Sequence, residues 1–214
     1  MATDVAATMI EWPSRQTRDG RFGVRAGRRC MAEQGVAVGP DDRQPGAGAM
    51  LGRMTQQPLP RRSATEQGRL DAALTDLIEH RMTFNQLLGL RVQQLLPQLT
   101  LRFDMRPELV GHDHYGRLHG GVISAVLDAL GGGALMVALG AKHVHESTEQ
   151  VMHRYLKVGT IDLRVDFLRP GLGHHFIATA EITRLGGRVG STQMRLHNDS
   201  GELIATAGGA YIVS

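Results

Sequence analysis

Asp128 is the residue in this chain whose setting most demands an explanation. From Gly120 to Gly140 the sequence reads GGVISAVLDALGGGALMVALG, where Ser124 and Asp128 are the polar side chains and Asp128 the single charge. A stretch that is apolar nearly all round reads as a helix enclosed by protein. A carboxylate sealed there costs several kcal/mol unless it is paired or protonated. Ser124, Ala125, Gly131 and Gly132 occupy the positions three and four residues away, so the helix itself offers no cation. Two readings stay open: a partner cation or solvent at a subunit seam, or a general base or nucleophile working in a pocket.

The start of the same segment supplies a complementary chemistry. Leu118-His119-Gly120-Gly121 places unhindered backbone N–H groups where a helix macrodipole favours negative charge, a place able to hold the oxyanion of an acyl-transfer intermediate. Taken alone, the same residues read equally well as a tight turn. His119 precedes Asp128 by nine residues, about 2.5 helical turns, so the two need not share a face. Elsewhere, His112-x-His114 and His143-x-His145 have chelating spacing, but no cysteine or clear third ligand supports a metal site. Arg184 and Arg188 flank Leu185-Gly186-Gly187. They read either as solvated hairpin charges or as a site for phosphates.

The elements that must carry these residues are legible from periodicity. Ser63-Ala-Thr-Glu66 has capping-box spacing. Leu70, Ala73, Leu74, Leu77 and Ile78 then form one apolar stripe, predicting an amphipathic helix over about 66–88 that Gly89 stops. Leu99, Leu101, Phe103 and Met105 alternate with polar residues as a strand, paired with 90–96 across Pro97. The central helix is predicted over about 119–139. Ile161, Leu163, Val165 and Phe167 alternate as another strand, and segments 176–184, 191–197 and 202–213 read as an antiparallel meander. The fold class is therefore α+β: an antiparallel sheet wrapped around one apolar helix, with an additional N-terminal helix.

Residues 1–62 differ from the rest. They hold ten Arg and six acids, whereas the remainder is near neutral, so the net charge of +3 belongs to this leader and does not point to nucleic acid. Low aliphatic content and many Gly and Pro predict a disordered extension over 1–62 and a globular domain over 63–214. Met54 is a candidate true start. Asp4 and Glu11 with no apolar core argue against a secretory signal. No uninterrupted apolar run of membrane-spanning length is present, so no membrane span is expected. The lone Cys30 excludes a disulfide framework, lies in the leader, and fits a reducing, cytoplasmic location.

The run His119-Gly120-Gly121-Val-Ile-Ser-Ala-Val-Leu-Asp128-Ala-Leu-Gly131-Gly132 resembles the HGG…D signature of PaaI-type hotdog-fold acyl-CoA thioesterases. Pro107–His119 and the strand ending at Pro170 are similar to the same family, most of all to its YigI-like branch, associated with medium- and long-chain acyl-CoA. The likeness covers about 84–214. It implies hydrolysis of acyl-CoA without metal or redox cofactor, with Asp128 as base or nucleophile and the Gly120 N–H on the thioester carbonyl. It further implies that Thr160 places the water, that His119 orients the site, and that Asp113 stands where several members carry Asn. Active sites shared between subunits of a homodimer or homotetramer are implied too. A hotdog dehydratase, or an acyl-CoA-binding regulator, is the alternative. The His-Phe-Pro-Gly type of dehydratase motif is absent, and the leader shows no helix-turn-helix pattern.

Overall fold

The computed structural model describes residues 60–112 and 114–214. The predicted extension therefore lies outside the described residues except for 60–62. Arg62 belongs to the folded body. Its guanidinium donates to the carbonyls of Gly140 at 2.7 Å and Glu146 at 2.7 Å, just where the central helix ends and its carbonyls lack partners.

The chain runs α1 (Ala64–Asp76), a π-helical turn (Leu77–Arg81), α2 (Thr83–Leu88), β1 (Arg91–Gln94) and β2 (Thr100–Asp104). A 3-10 turn (Pro107–Leu109) and a small hairpin of β3 (Val110–His112) and β4 (Arg117–Leu118) precede α3 (Gly120–Lys142). Then come α4 (Thr148–Tyr155), β5 (Gly159–Phe167), β6 (His175–Leu185), β7 (Val189–Asn198) and β8 (Leu203–Ile212). Six strands form one antiparallel sheet in the order β1-β2-β6-β7-β8-β5, and the other two make the small hairpin.

Helix α3 lies across this sheet. It buries Ile123, Val126, Leu127, Leu130, Leu135 and Leu139 against inward residues such as Met194, Leu196 and Tyr211. Phe103 and Phe176 stack at 5.3 Å across the β2–β6 pairing. The helix is long and apolar enough to cross a bilayer by length and composition, but its apolar side chains pack on this sheet. Its glycines serve close approach: a Cβ at Gly131 would collide with the Tyr211 hydroxyl.

Three expectations need correction. The helix predicted over 66–88 is interrupted. Met82 N–H reaches back five residues to the Leu77 carbonyl at 3.1 Å, Met82 itself is extended (φ −83°, ψ 100°), and α2 starts afresh. Buried Asn85 holds this break, donating its amide to the Ile78 carbonyl at 3.0 Å and to the Met82 sulfur at 3.3 Å. The capping box at Ser63 is half formed. The Ser63 hydroxyl accepts from Glu66 N–H, but the Glu66 carboxylate accepts instead from the Thr148 N–H at 2.9 Å, tying α1 to α4. Helix α4, with its own complete box between Ser147 and Gln150, was not foreseen. The central helix also continues to Lys142 despite Gly131-Gly132-Gly133, because burial outweighs weak propensity.

Candidate active site

Helix α3 and strand β5 bring two of the expected residues together. Thr160 Oγ1 donates to Asp128 Oδ1 at 2.9 Å. A β-bulge makes this possible. Thr160 pairs with Tyr211 and Asp162 with Ala210, so Ile161 is the extra residue. In unbroken alternation Thr160 would face away from Leu163 and Val165, which pack on the core. The bulge turns Thr160 toward α3 and leaves Ile161 58% exposed.

Asp128 is half-buried, and no Arg, Lys or His of the described residues lies in ion-pair range of it. The structural reading that gave it a cation from elsewhere in the chain therefore finds no support among the described residues. Its backbone carbonyl accepts from the Tyr211 hydroxyl at 3.3 Å. Burial first, and the Asp128 charge second, push the Tyr211 phenol above its ordinary range, so it stays protonated as a donor. A cleft of about 490 Å³ opens beside the carboxylate, lined by Thr160, Tyr211, the Ala129–Gly133–Met136 face of α3, Ile78 of the π-helical turn and Met82 just after it.

The start of α3 carries the second function. His119 is the N-cap, its Nδ1 accepting from the Gly121 N–H at 2.9 Å, which puts the proton of the neutral ring on Nε2. His119 thus caps its own helix and does not reach Asp128. The Gly120 N–H makes no hydrogen bond with the described residues and points from the positive end of the dipole. Close by, the Phe167 ring sits 3.4 Å from where a Gly120 Cβ would be. Gly120 and Asp128 stand eight residues apart on one helix, about 12 Å along its axis. Within one chain they do not converge on a single carbonyl.

Asp113 lies outside the described residues. Arg184 on β6 and Arg188 in the β6–β7 turn are exposed and without a carboxylate partner among the described residues. Val189 pairs with Ile212, which pairs with Gly159, so this turn sits two strands from Thr160, about 10 Å across the sheet. His143 contacts Glu146 at 3.2 Å and His145 the Pro60 carbonyl at 3.1 Å, both at the far end of α3. Sequence reasoning missed Tyr211, Asn85, Ile78 and Met82 as site residues. Their signal is tertiary, since Tyr211 reads locally as an ordinary inward residue of the last strand.

Residues 115–205 match the Thioesterase superfamily model. Over 139 residues the chain is 36% identical to the medium/long-chain acyl-CoA thioesterase YigI of Salmonella typhimurium, spanning 64% of this chain and 90% of that protein. The chain belongs to the thioesterase superfamily. The Escherichia coli YigI is 35% identical over the same length. A crystal structure of a thioesterase-superfamily-related protein from Shewanella oneidensis superposes with a TM-score of 0.66 at 36% identity, covering 69% of this chain and 97% of that one. Superfamily and architecture agree: the sheet wrapped on α3 is the hotdog fold.

Proposed function

We propose that this protein hydrolyses medium- and long-chain acyl-CoA thioesters to the free acid and coenzyme A. The observation that carries the reading is the Thr160–Asp128 contact at the cleft. The threonine hydroxyl occupies one carboxylate oxygen and leaves the other to accept a proton from water. The kinship with the YigI thioesterases supports the substrate class.

In this mechanism Asp128 acts as general base. Water attacks the thioester carbonyl carbon while its proton passes to the carboxylate. The carbonyl oxygen becomes an oxyanion held by the Gly120 N–H, an interaction strongest when the charge has developed. Collapse breaks the C–S bond, and coenzyme A leaves as thiolate, taking up the proton from Asp128 or solvent. The chemistry draws on no metal or redox group, and Tyr211 keeps the backbone carbonyl of Asp128 bonded.

Gly120 comes from a second copy of the chain. The separation along α3 supports this, and so does strand β5, whose outer edge is unpaired among the described residues and which exposes Ile161 and Phe167 at 58% and 55%. Two β5 strands paired antiparallel would bring the Phe167 end of one chain, with Gly120 beside it, to the Thr160 end of the other. The site is thus shared in a homodimer, or in a homotetramer built from such dimers, and the location is cytoplasmic. Arg184 and Arg188, whose guanidinium groups have no carboxylate partner among the described residues, meet the coenzyme A phosphates, while Asp113 and His119 act near the second copy's carbonyl contact.

The test is thiol release from a panel of acyl-CoA substrates by the purified full chain. Stoichiometric free thiol with acid product supports hydrolysis. Conversion without thiol supports the hydratase class, and tight binding without turnover supports a regulator.

A further inference from the structure

Resting on the acyl-CoA reading above, we propose that the acyl chain lies along α3 from Asp128 to Met136, and that the π-helical turn forms its opposite wall. The N-terminal helical segment, which precedes the region matched to the superfamily, then sets chain length.

The face of α3 beyond Asp128 presents Ala129, Gly132 and Gly133 before Met136 fills the next turn. Nothing larger than a methyl group projects into the cleft from α3 until that methionine. Eight residues separate Asp128 from Met136, about 12 Å of helix. An extended hydrocarbon advances about 1.25 Å per carbon with C–C bonds near 1.5 Å, so the groove holds roughly ten carbons.

Across the groove stand Ile78 and Met82, carried by the turn that interrupts the N-terminal helix. Phe84 adds a ring to this wall, and Asn85 spends its amide N–H groups within the protein, on the Ile78 carbonyl and the Met82 sulfur. An apolar groove with its one carboxylate at the mouth fits a hydrocarbon tail whose thioester sits at Asp128.

Gly132→Leu in the full chain tests the placement. A Cβ at Gly132 meets nothing nearer than the Tyr211 ring at 3.8 Å, whereas one at Gly133 would strike Leu99 at 2.8 Å. The leucine would project about 6 Å along the helix from Asp128, roughly five carbons into the groove. The ratio of kcat/KM for decanoyl-CoA to that for butanoyl-CoA is expected to fall at least about ten-fold, the scale of losing several methylene contacts. An unchanged ratio in a folded variant overturns the proposal. Met136→Ala, which opens the far end, is expected to move the preferred length upward by two or more carbons. If Gly132→Leu does not fold, an unmoved preference in Met136→Ala overturns it instead. Absence of thiol release from every acyl-CoA by the parent protein is a different failure, which removes the hydrolase reading itself.

Discussion

Thr160 Oγ1 donates to Asp128 Oδ1 at 2.9 Å, although the two residues stand 32 apart in sequence and on different kinds of element. The contact exists because Ile161 is bulged out of β5. Thr160→Val keeps shape and removes the donor. A hydrogen bond to a charged group contributes about 1.5–3 kcal/mol, so kcat is expected to fall at least about ten-fold. KM and the melting temperature should move little. Thr160→Ser should retain most activity, and a valine variant as fast as the parent would leave the hydroxyl without a role.

Adjacent glycines of α3 should respond oppositely to alanine. A Cβ at Gly131 collides with the Tyr211 hydroxyl and the Met194 sulfur, while one at Gly132 finds ordinary contact at 3.8 Å. Gly131→Ala is expected to cost about 1–3 kcal/mol by overpacking. Gly132→Ala is expected to gain about 0.5–1 kcal/mol from reduced backbone freedom. Denaturant midpoints of the two variants check the contrast.

Alkaline pH should unfold the protein through its buried phenols. Burial raises the folded-state pKa of both Tyr155 and Tyr211, whereas an unfolded tyrosine ionises near 10.0. The folded state therefore holds its protons longer than the unfolded one. Their contribution to stability is complete below about pH 10 and is lost as the pH climbs toward the raised values. Urea midpoints measured upward from pH 9 should decline beyond 10, and less steeply in Tyr211→Phe.

A shared site can be tested by mixing two inactive chains. Gly120→Pro removes the N–H at the first helical position, where proline is tolerated, and Asp128→Asn removes the base. Each homodimer should be nearly inactive. Random co-assembly gives half mixed dimers with one intact site each, so activity should return to about a quarter of the parent value. No recovery in mixtures shown to exchange subunits would place both groups in one chain.

The sequence made the sheet and its buried helix readable from local pattern: alternation in β2 and β5, turn-bounded segments for β6, β7 and β8, and a nearly all-apolar run in α3. Asp128 was visible as a charge against that background. The Gly120 amide was visible from the two glycines after His119. Thr160 was named through likeness to a family, since local alternation would have turned it away from α3 and the bulge that corrects this has no obvious signature. The π-helical turn was equally hidden. Ile78 continues the apolar stripe in sequence, and the shift of the ladder there is held by a tertiary contact, Asn85 folded back from α2. Helix α4 was passed over because its apolar face is just Val151 and Tyr155, too short a stripe to stand out.

Thiol release from decanoyl-CoA by Asp128→Asn, measured beside circular dichroism and subunit mass, bears most directly on the account. With fold and assembly unchanged, turnover should drop at least about 100-fold, the scale of a positioned general base. Turnover within a few-fold of the parent protein would contradict it and send the search for the base elsewhere.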